Sequence, residues 1–203
     1  SIIDTVISTK VGIAPQFMNE DSLFDVDNWE TYRNTKPNID YLIKNIDYLD
    51  VVAQNIPAKA LLLAQHFWPG PLTLLLDKRA DVPNIVTADK STVAVRIPSH
   101  PMALALLQQL NFPLAAPSAN PFTSISSTTA QHVKEYFDKE LDIILDGGEC
   151  KKGIESTIVG FTGDDVIIYR LGTITETDLE KIVGEVSIYI GDDKQLHYSN
   201  ERS

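Results

Sequence analysis

The stretch that decides the fold is STVAVRIPSHPMALALLQQLNFPLAAPSAN, residues 91–120. It begins with an apolar strand over residues 92–97 that carries one arginine, Arg96. Pro101 then opens a predicted helix, because proline is favoured in the first helical turn. A second short apolar strand follows and ends in the small polar sequence PSAN, residues 117–120. Strand, helix and strand in this order predict part of an α/β sheet.

Arg96 is the unusual residue of this stretch, because the run around it is otherwise suited to burial. A buried guanidinium without partners is energetically costly. Two interpretations therefore stay open. Arg96 is either a structural arginine bound to carbonyls or a carboxylate, or it binds a small anionic ligand at the end of the strand.

The flanking sequence adds further strands and helices. Apolar residues at helical spacing predict a helix from Pro57 that ends at the proline-rich WPGP, residues 68–71. Alternating residues around a Thr-Gly-Asp turn predict a β-hairpin near the C-terminal end, and a capping box at Thr175 predicts a helix after it. A first strand and a turn are predicted over residues 2–13, and further strands over residues 72–76, 141–145, 156–160, 166–170 and 186–190.

These elements are irregularly spaced and become hairpin-like towards the end, which favours an α/β (α+β) fold with a mixed sheet over a doubly wound parallel one. No linker divides the chain. We therefore predict a single domain over residues 1–190 and a flexible C-terminal tail over residues 191–203.

Composition excludes several classes of protein. The chain of 203 residues carries a net charge of -11, which argues against binding double-stranded nucleic acid through its phosphates. No apolar run approaches the roughly 18 residues of a membrane span, and no signal-peptide pattern is visible. A single cysteine, Cys150, excludes an internal disulfide. We expect a cytoplasmic protein.

The common enzyme motifs for phosphate loops, zinc hydrolases and serine hydrolases are absent. Neither a nucleophile–base pair nor a His/Cys cluster at metal-binding spacing stands out, so we assign no metal site and no covalent catalyst. Instead, arginines, hydroxyls and one amide lie near predicted strand ends, which indicates positioning and charge stabilisation of a bound anion. These residues are Arg96, Ser118, Asn120, Ser126, Ser156 and Arg170.

Seven motifs, in this order and spacing, resemble the YrdC-like family of threonylcarbamoyl-AMP synthases. They are FWPGPLT (67–73), VAVRIP (93–98), FPLAAPSAN (112–120), STTAQHV (127–133), ILDGG (144–148), GIESTIV (153–159) and YRLGTIT (169–175). The resemblance implies a twisted mixed sheet with helices around a large concave cavity. It also implies synthesis of threonylcarbamoyl-AMP and pyrophosphate from L-threonine, bicarbonate and ATP, for threonylcarbamoyladenosine modification of tRNA beside the anticodon.

The resemblance also implies a role for each matching residue. The ATP-binding residues would be Arg33, Thr92, Ser118, Asn120, Ser126 and Arg170. The threonine-binding residues would be Thr9, Arg96, Ala116 through its backbone, and Ser156. Mg²⁺ would accompany ATP, and tRNA-modifying proteins are possible partners.

Residues 1–50 depart from the family pattern. Lys10 stands where the family has valine, Thr31 stands where it has lysine, and Leu42 stands roughly where it has histidine. We therefore keep an alternative, a non-catalytic member of the same fold that binds a nucleotide or RNA. A third hypothesis is a role for the fold inside a larger carbamoyl-transfer assembly.

Overall fold

The computed structural model describes the backbone of residues 6–9 and, with side chains, residues 39–116, 127–137, 141, 143–148 and 155–190, apart from the side chain of Ile85. The strands of these residues are β1 (Val6–Thr9), β2 (Asp40–Leu42), β3 (Leu72–Asp77), β4 (Thr92–Arg96), β5 (Leu114–Ala116), β6 (Ile143–Asp146), β7 (Thr157–Thr162), β8 (Asp165–Arg170) and β9 (Val186–Ile188). Their helices are α1 (Leu49–Val52), α2 (Ala58–Phe67), α3 (Asn84–Thr87), α4 (Pro101–Gln109), α5 (Ala130–Phe137) and α6 (Glu176–Val183).

A seven-stranded sheet is the centre of the fold, with the strand order β5-β2-β4-β3-β7-β8-β9. The pairs β2–β4, β3–β7 and β8–β9 are parallel, whereas β2–β5, β3–β4 and β7–β8 are antiparallel. A separate two-stranded sheet pairs β1 with β6. The mixed α/β sheet predicted from the sequence is therefore confirmed.

One face of the large sheet forms the main hydrophobic core. Leu74 of β3 and Val95 of β4 pair with each other and face this core. Successive side chains of a strand point to opposite faces, so every second residue of these strands faces the same way. Helices α2 and α6 pack against this face and against each other through buried residues such as Leu63 and Leu179. The alternate residues of the same strands, Arg96 among them, face away from this core.

Several local predictions are confirmed. The hairpin of β7 and β8 turns at Gly163, which has the positive φ that a tight turn favours. Helix α6 has a capping box, in which Thr175 and Asp178 bind each other's backbone N–H groups. The β6 and β9 strands are shifted or shorter than predicted, and the helix α3 was not predicted. The domain limits of 1–190 and the concave cavity stay predictions, and residues 191–203 lie outside the described residues.

None of the helices in the part of the chain that the structure describes is long and apolar enough to cross a membrane.

A buried threonine fixes the loop that follows β8. The Thr157 hydroxyl donates to the Ile174 carbonyl at 2.7 Å and accepts from the backbone N–H groups of Gly172 and Ile174 at 3.0 Å each. Gly172 lies so close to the start of β7 that a Cβ atom there would be 2.2 Å from the Glu155 carbonyl oxygen. The loop begins directly after Arg170, so these contacts also hold Arg170 in place.

We expect Thr157→Val to lower the free energy of unfolding by about 3 kcal/mol. Valine keeps the shape of the side chain but leaves buried N–H and C=O groups without a partner, each at a cost of roughly 1–3 kcal/mol. The matched control is Thr162→Val, at an exposed position of the same strand, which should change stability by less than about 0.5 kcal/mol. Urea unfolding of both variants measures the difference, and equal effects would contradict the role of Thr157.

Candidate functional site

The described site residues lie on the face of the sheet that points away from the main core. Thr92 and Arg96 share this face because they are four residues apart on β4. Ala116 of β5 pairs directly with Asp40 of β2, and Asp40 pairs with Ala94 of β4. Paired residues of neighbouring strands share a face, so the register brings Asp40 and Ala116 to the side where Arg96 lies.

Arg96 is fully buried, with an exposed fraction of 0%. Its Nε donates a hydrogen bond to the Gly70 carbonyl at 3.0 Å, and its Nη1 lies 4.0 Å from Asp40 Oδ2. A carbonyl and a carboxylate are the partners that the structural interpretation of Arg96 expected. Whether Arg96 also binds an anionic ligand stays a prediction.

The turn between α2 and β3 supplies the carbonyl that Arg96 needs. The Trp68 indole donates to the Leu72 carbonyl at 2.7 Å, and the Gly70 N–H donates to the Ile97 carbonyl at 2.9 Å. A Cβ atom on residue 70 would lie 2.1 Å from the Phe67 carbonyl oxygen, so only glycine fits there. The WPGP sequence thus holds the Gly70 carbonyl against the arginine.

Asp40 is the counter-charge of this buried site, with an exposed fraction of 3%. Its Oδ2 accepts a hydrogen bond from the Thr73 hydroxyl at 3.1 Å. Burial raises the pKa of the Asp40 carboxyl, and the Arg96 guanidinium, the Thr73 hydroxyl and the more distant Arg170 offset part of that rise. The carboxyl is therefore held by charge and hydrogen bonds in an environment that disfavours its ionised form.

Two buried hydroxyls connect Asp40 with the second arginine. Arg170 donates from Nε to the Ser156 carbonyl at 3.0 Å and from Nη2 to the Ser156 hydroxyl at 2.9 Å. The Ser156 and Thr73 hydroxyl oxygens are 2.9 Å apart. We call Ser156 and Thr73 the hydroxyl relay. Arg170 also forms an ion pair with Glu155, with Nη2 and Oε2 3.6 Å apart.

Hydrogen bonds and the Arg96–Asp40 ion pair thus bring three predicted residues, Arg96, Ser156 and Arg170, into one group through Asp40 and Thr73. Thr92 lies at the other end of β4 from Arg96, about 13 Å away at the usual rise of a strand. Ala116 is next to Asp40 in register. Thr9 is described only as backbone, paired with Ile143, and four predicted residues lie outside the described part of the chain: Arg33, Ser118, Asn120 and Ser126.

Sequence reasoning missed Asp40 and Thr73. Asp40 sits in a short, otherwise apolar run, and a carboxylate buried there needs a cation nearby, which the single arginine of β4 could have indicated. Thr73 lies in an apolar strand and gave no such signal. Thr173 was also missed, and its hydroxyl is buried without a hydrogen-bond partner in the part of the chain that the structure describes.

Comparison with known proteins identifies the family. Residues 31–172 match the Sua5/YciO/YrdC family, which is described as "Telomere recombination". The chain belongs to this family. The resemblance found in the sequence motifs is therefore confirmed.

Two curated members of the Sua5/YciO/YrdC family are named threonylcarbamoyl-AMP synthase. The protein of Pyrococcus abyssi is 43% identical over 147 residues, which are 72% of this chain and 43% of that protein. The protein of Bacillus subtilis is 39% identical over 161 residues, which are 79% of this chain and 45% of that protein. The chain therefore spans less than half the length of these relatives.

A solved structure supports the same relationship. The crystal structure of P. abyssi Sua5 complexed with L-threonine matches with a TM-score of 0.72 and 42% identity. The match covers 74% of this chain and 44% of that chain. The fold of this Sua5/YciO/YrdC member thus agrees with that of the relative over most of the present chain and over less than half of the relative.

The raised pKa of Asp40 predicts how stability depends on pH. A group whose folded pKa exceeds its unfolded value of 3.8 binds its proton more tightly in the folded state, so its contribution is present at low pH and is lost as the pH rises through the folded pKa. The quantity to follow is the free energy of unfolding of the unmodified chain minus that of Asp40→Asn. We expect this difference to fall as the pH rises above 3.8, and then to level off once Asp40 is ionised in the folded state.

Urea unfolding at a series of pH values measures this difference. Asp77→Asn, at an exposed position of β3, is the control for a lost surface carboxylate. A difference for Asp40 that increases with pH would mean that the pKa is lowered, and would contradict the prediction.

Proposed function

We propose that this chain carries the threonylcarbamoyl-AMP synthase activity, with L-threonine, bicarbonate and ATP as substrates. The observation that best supports the proposal is the match to P. abyssi Sua5, which was crystallised with L-threonine, at 42% identity. The curated names of the P. abyssi and B. subtilis relatives support it as well. Because those relatives are more than twice as long as the matched region, the activity of this chain is a proposal about its own residues.

The proposed reaction has two steps. The threonine amine and bicarbonate first form a carbamate with loss of water. A carbamate oxygen then attacks the α-phosphorus of ATP, the bond to the bridging oxygen breaks, and pyrophosphate leaves with the electron pair. The products are threonylcarbamoyl-AMP and pyrophosphate, and neither step needs a covalent bond to the protein. What the protein must supply is alignment and compensation of negative charge.

The proposed roles divide between the two substrates. Arg96 would pair with the threonine carboxylate, because a guanidinium matches a carboxylate with two parallel hydrogen bonds. The Ser156 hydroxyl, the Ala116 backbone and Thr9 would orient the rest of the amino acid. Arg170 would bind phosphate oxygens, together with the further ATP-binding candidates Arg33, Thr92, Ser118, Asn120 and Ser126.

Mg²⁺ enters this proposal as part of MgATP. Within the described residues, no group of three or more His, Cys, Asp or Glu side chains is placed to hold a metal ion. Among the described carboxylates, Asp40 and Glu155 lie beside the arginines of the site, with which they form ion pairs. We therefore propose that the triphosphate itself holds Mg²⁺, which lowers the negative charge that the arginines must compensate.

The cellular setting is proposed on the same basis. The product would be used by tRNA-modifying proteins, so the proposed location is the cytoplasm. Direct binding of double-stranded nucleic acid is disfavoured by the net charge of -11.

One observation favours the alternative of a non-catalytic nucleotide-binding member. Leu42 stands roughly where the family pattern has histidine, and it is fully buried in an apolar cluster with Leu107 and Leu114. A leucine in that cluster cannot bind a phosphate or transfer a proton. The alternative therefore predicts nucleotide binding without turnover. An RNA ligand is the weaker version because of the acidic charge.

Pyrophosphate release tests the two functions against each other. The chain is incubated with MgATP, L-threonine and bicarbonate, and each substrate is omitted in turn. Release that depends on all three, with formation of threonylcarbamoyl-AMP, supports the enzyme. Thermal stabilisation by ATP without any adenylate product supports the alternative, and the absence of both results would overturn both proposals.

We expect Arg96→Ala to weaken binding of L-threonine by roughly 1.5–3 kcal/mol, because a charge-assisted hydrogen bond is lost. Calorimetric titration measures the affinity, and Arg79→Ala, which removes an exposed arginine, should leave it unchanged. Arg96→Lys keeps a cation in the buried site and serves if the alanine variant does not fold. An unchanged threonine affinity in folded variants would mean that Arg96 is structural only.

A further inference from the structure

The buried hydrogen bonds between the two arginines run in one direction. A guanidinium can only donate, so the Ser156 hydroxyl accepts from Arg170. Ser156 gives its own proton to Thr73, because the one Thr73 proton goes to Asp40. The Thr73 hydroxyl has one proton, which it donates to Asp40 Oδ2. Each hydroxyl therefore accepts once and donates once, and Asp40 is where the series ends.

Asp40 Oδ2 is also the atom that faces Arg96. The same carboxylate oxygen thus receives the hydrogen bond that begins at Arg170 and the charge of Arg96. All members except Arg170 are almost completely buried, with exposed fractions of 0–3% for Arg96, Asp40, Thr73 and Ser156. Water screens the charges of such a buried group weakly, so a change of charge at Arg170 alters the electrostatic interaction between Asp40 and Arg96.

We propose that Asp40 is a positioning residue that couples the two substrate sites: through the hydroxyl relay, an anion bound at Arg170 changes how firmly Asp40 holds Arg96. This inference rests on the proposed function, because it assigns Arg96 to the amino acid and Arg170 to the nucleotide. It adds a role for Asp40 and Thr73.

The direction of the coupling follows from the charges around Asp40. Among the described residues, Arg96 on β4, Arg170 on β8 and Glu155 before β7 act on its carboxyl, and Arg170 favours the ionised form. A phosphate bound to Arg170 offsets that positive charge, so Asp40 becomes a weaker counter-ion for Arg96. Arg96 is then more available to a substrate carboxylate, and ATP should tighten the binding of L-threonine.

Thr73→Val is the variant that tests the relay, because valine keeps the shape and removes the hydroxyl. Thr73→Ser restores the hydroxyl. Thr87→Val is the matched control, since Thr87 is a buried threonine of α3 whose hydroxyl binds the Asn84 and Lys90 carbonyls outside the site. Thermal unfolding shows which variants are folded before any titration.

The affinity for L-threonine is measured with and without a saturating non-hydrolysable ATP analogue. We expect the analogue to tighten binding at least about fivefold in the unmodified chain, the lower end of typical coupling. The factor should become smaller in Thr73→Val, where only the direct charge effect of Arg170 on Asp40 remains, and should be unchanged in Thr73→Ser and Thr87→Val. Because the factor is a ratio within one variant, a general loss of stability does not change it.

Three outcomes would overturn the inference. If each ligand binds but the analogue leaves the threonine affinity of the unmodified chain unchanged, the coupling alone is overturned. A factor in Thr73→Val equal to that of the unmodified chain overturns the relay. Absence of binding by both ligands overturns the proposed function together with the coupling. Carbon-13 NMR of the Asp40 carboxyl in the ligand-free protein then tests the relay itself, because Thr73→Val should move its titration to higher pH and Thr87→Val should not.

Discussion

The burial of the Arg96 guanidinium is the constraint on which the site depends. A charge removed from water is tolerated only beside a counter-charge and hydrogen-bond acceptors. Asp40 supplies the counter-charge from β2, and Gly70 supplies a carbonyl from the turn before β3. Both are available because β4 lies between β2 and β3 in the sheet. The order β2-β4-β3 therefore gives Arg96 its two partners, and burial of Arg96 is tolerated only in a sheet with that order.

Much of the fold could be predicted from local sequence. The strand with Arg96, the helix opened by Pro101 and the capping box at Thr175 all appear where the pattern indicated. Each depends on residues within about ten positions of one another, so a sequence window contains the relevant information. The irregular spacing of the elements and the hairpin near the C-terminal end also favoured a mixed sheet, and the family motifs implied one as well.

The site was harder to predict, because its contacts are long-range. Asp40 and Thr73 are 33 positions apart, and Thr73 and Ser156 are 83 positions apart. A three-residue strand such as β2 gives almost no periodic signal, so its carboxylate was not recognised as part of the site. Ser156 and Arg170 were indicated by their positions near predicted strand ends and again by the family motifs that contain them. The family resemblance could not find Asp40, which lies in the region where the sequence departs from the family pattern.

Ser156 and Thr157 carry neighbouring hydroxyls that serve opposite sides of β7. Ser156 binds the Arg170 guanidinium, while Thr157 holds the loop that begins directly after Arg170. Successive residues of a strand face opposite ways, so a shift of one residue in the register of β7 would exchange the two hydroxyls. The register is set where Thr157 pairs with Leu72 of β3, and the Thr157 N–H donates to the Pro71 carbonyl at that point. Correct pairing of β7 with β3 is therefore at once a condition for stability and the condition for placing Arg170 on the hydroxyl relay.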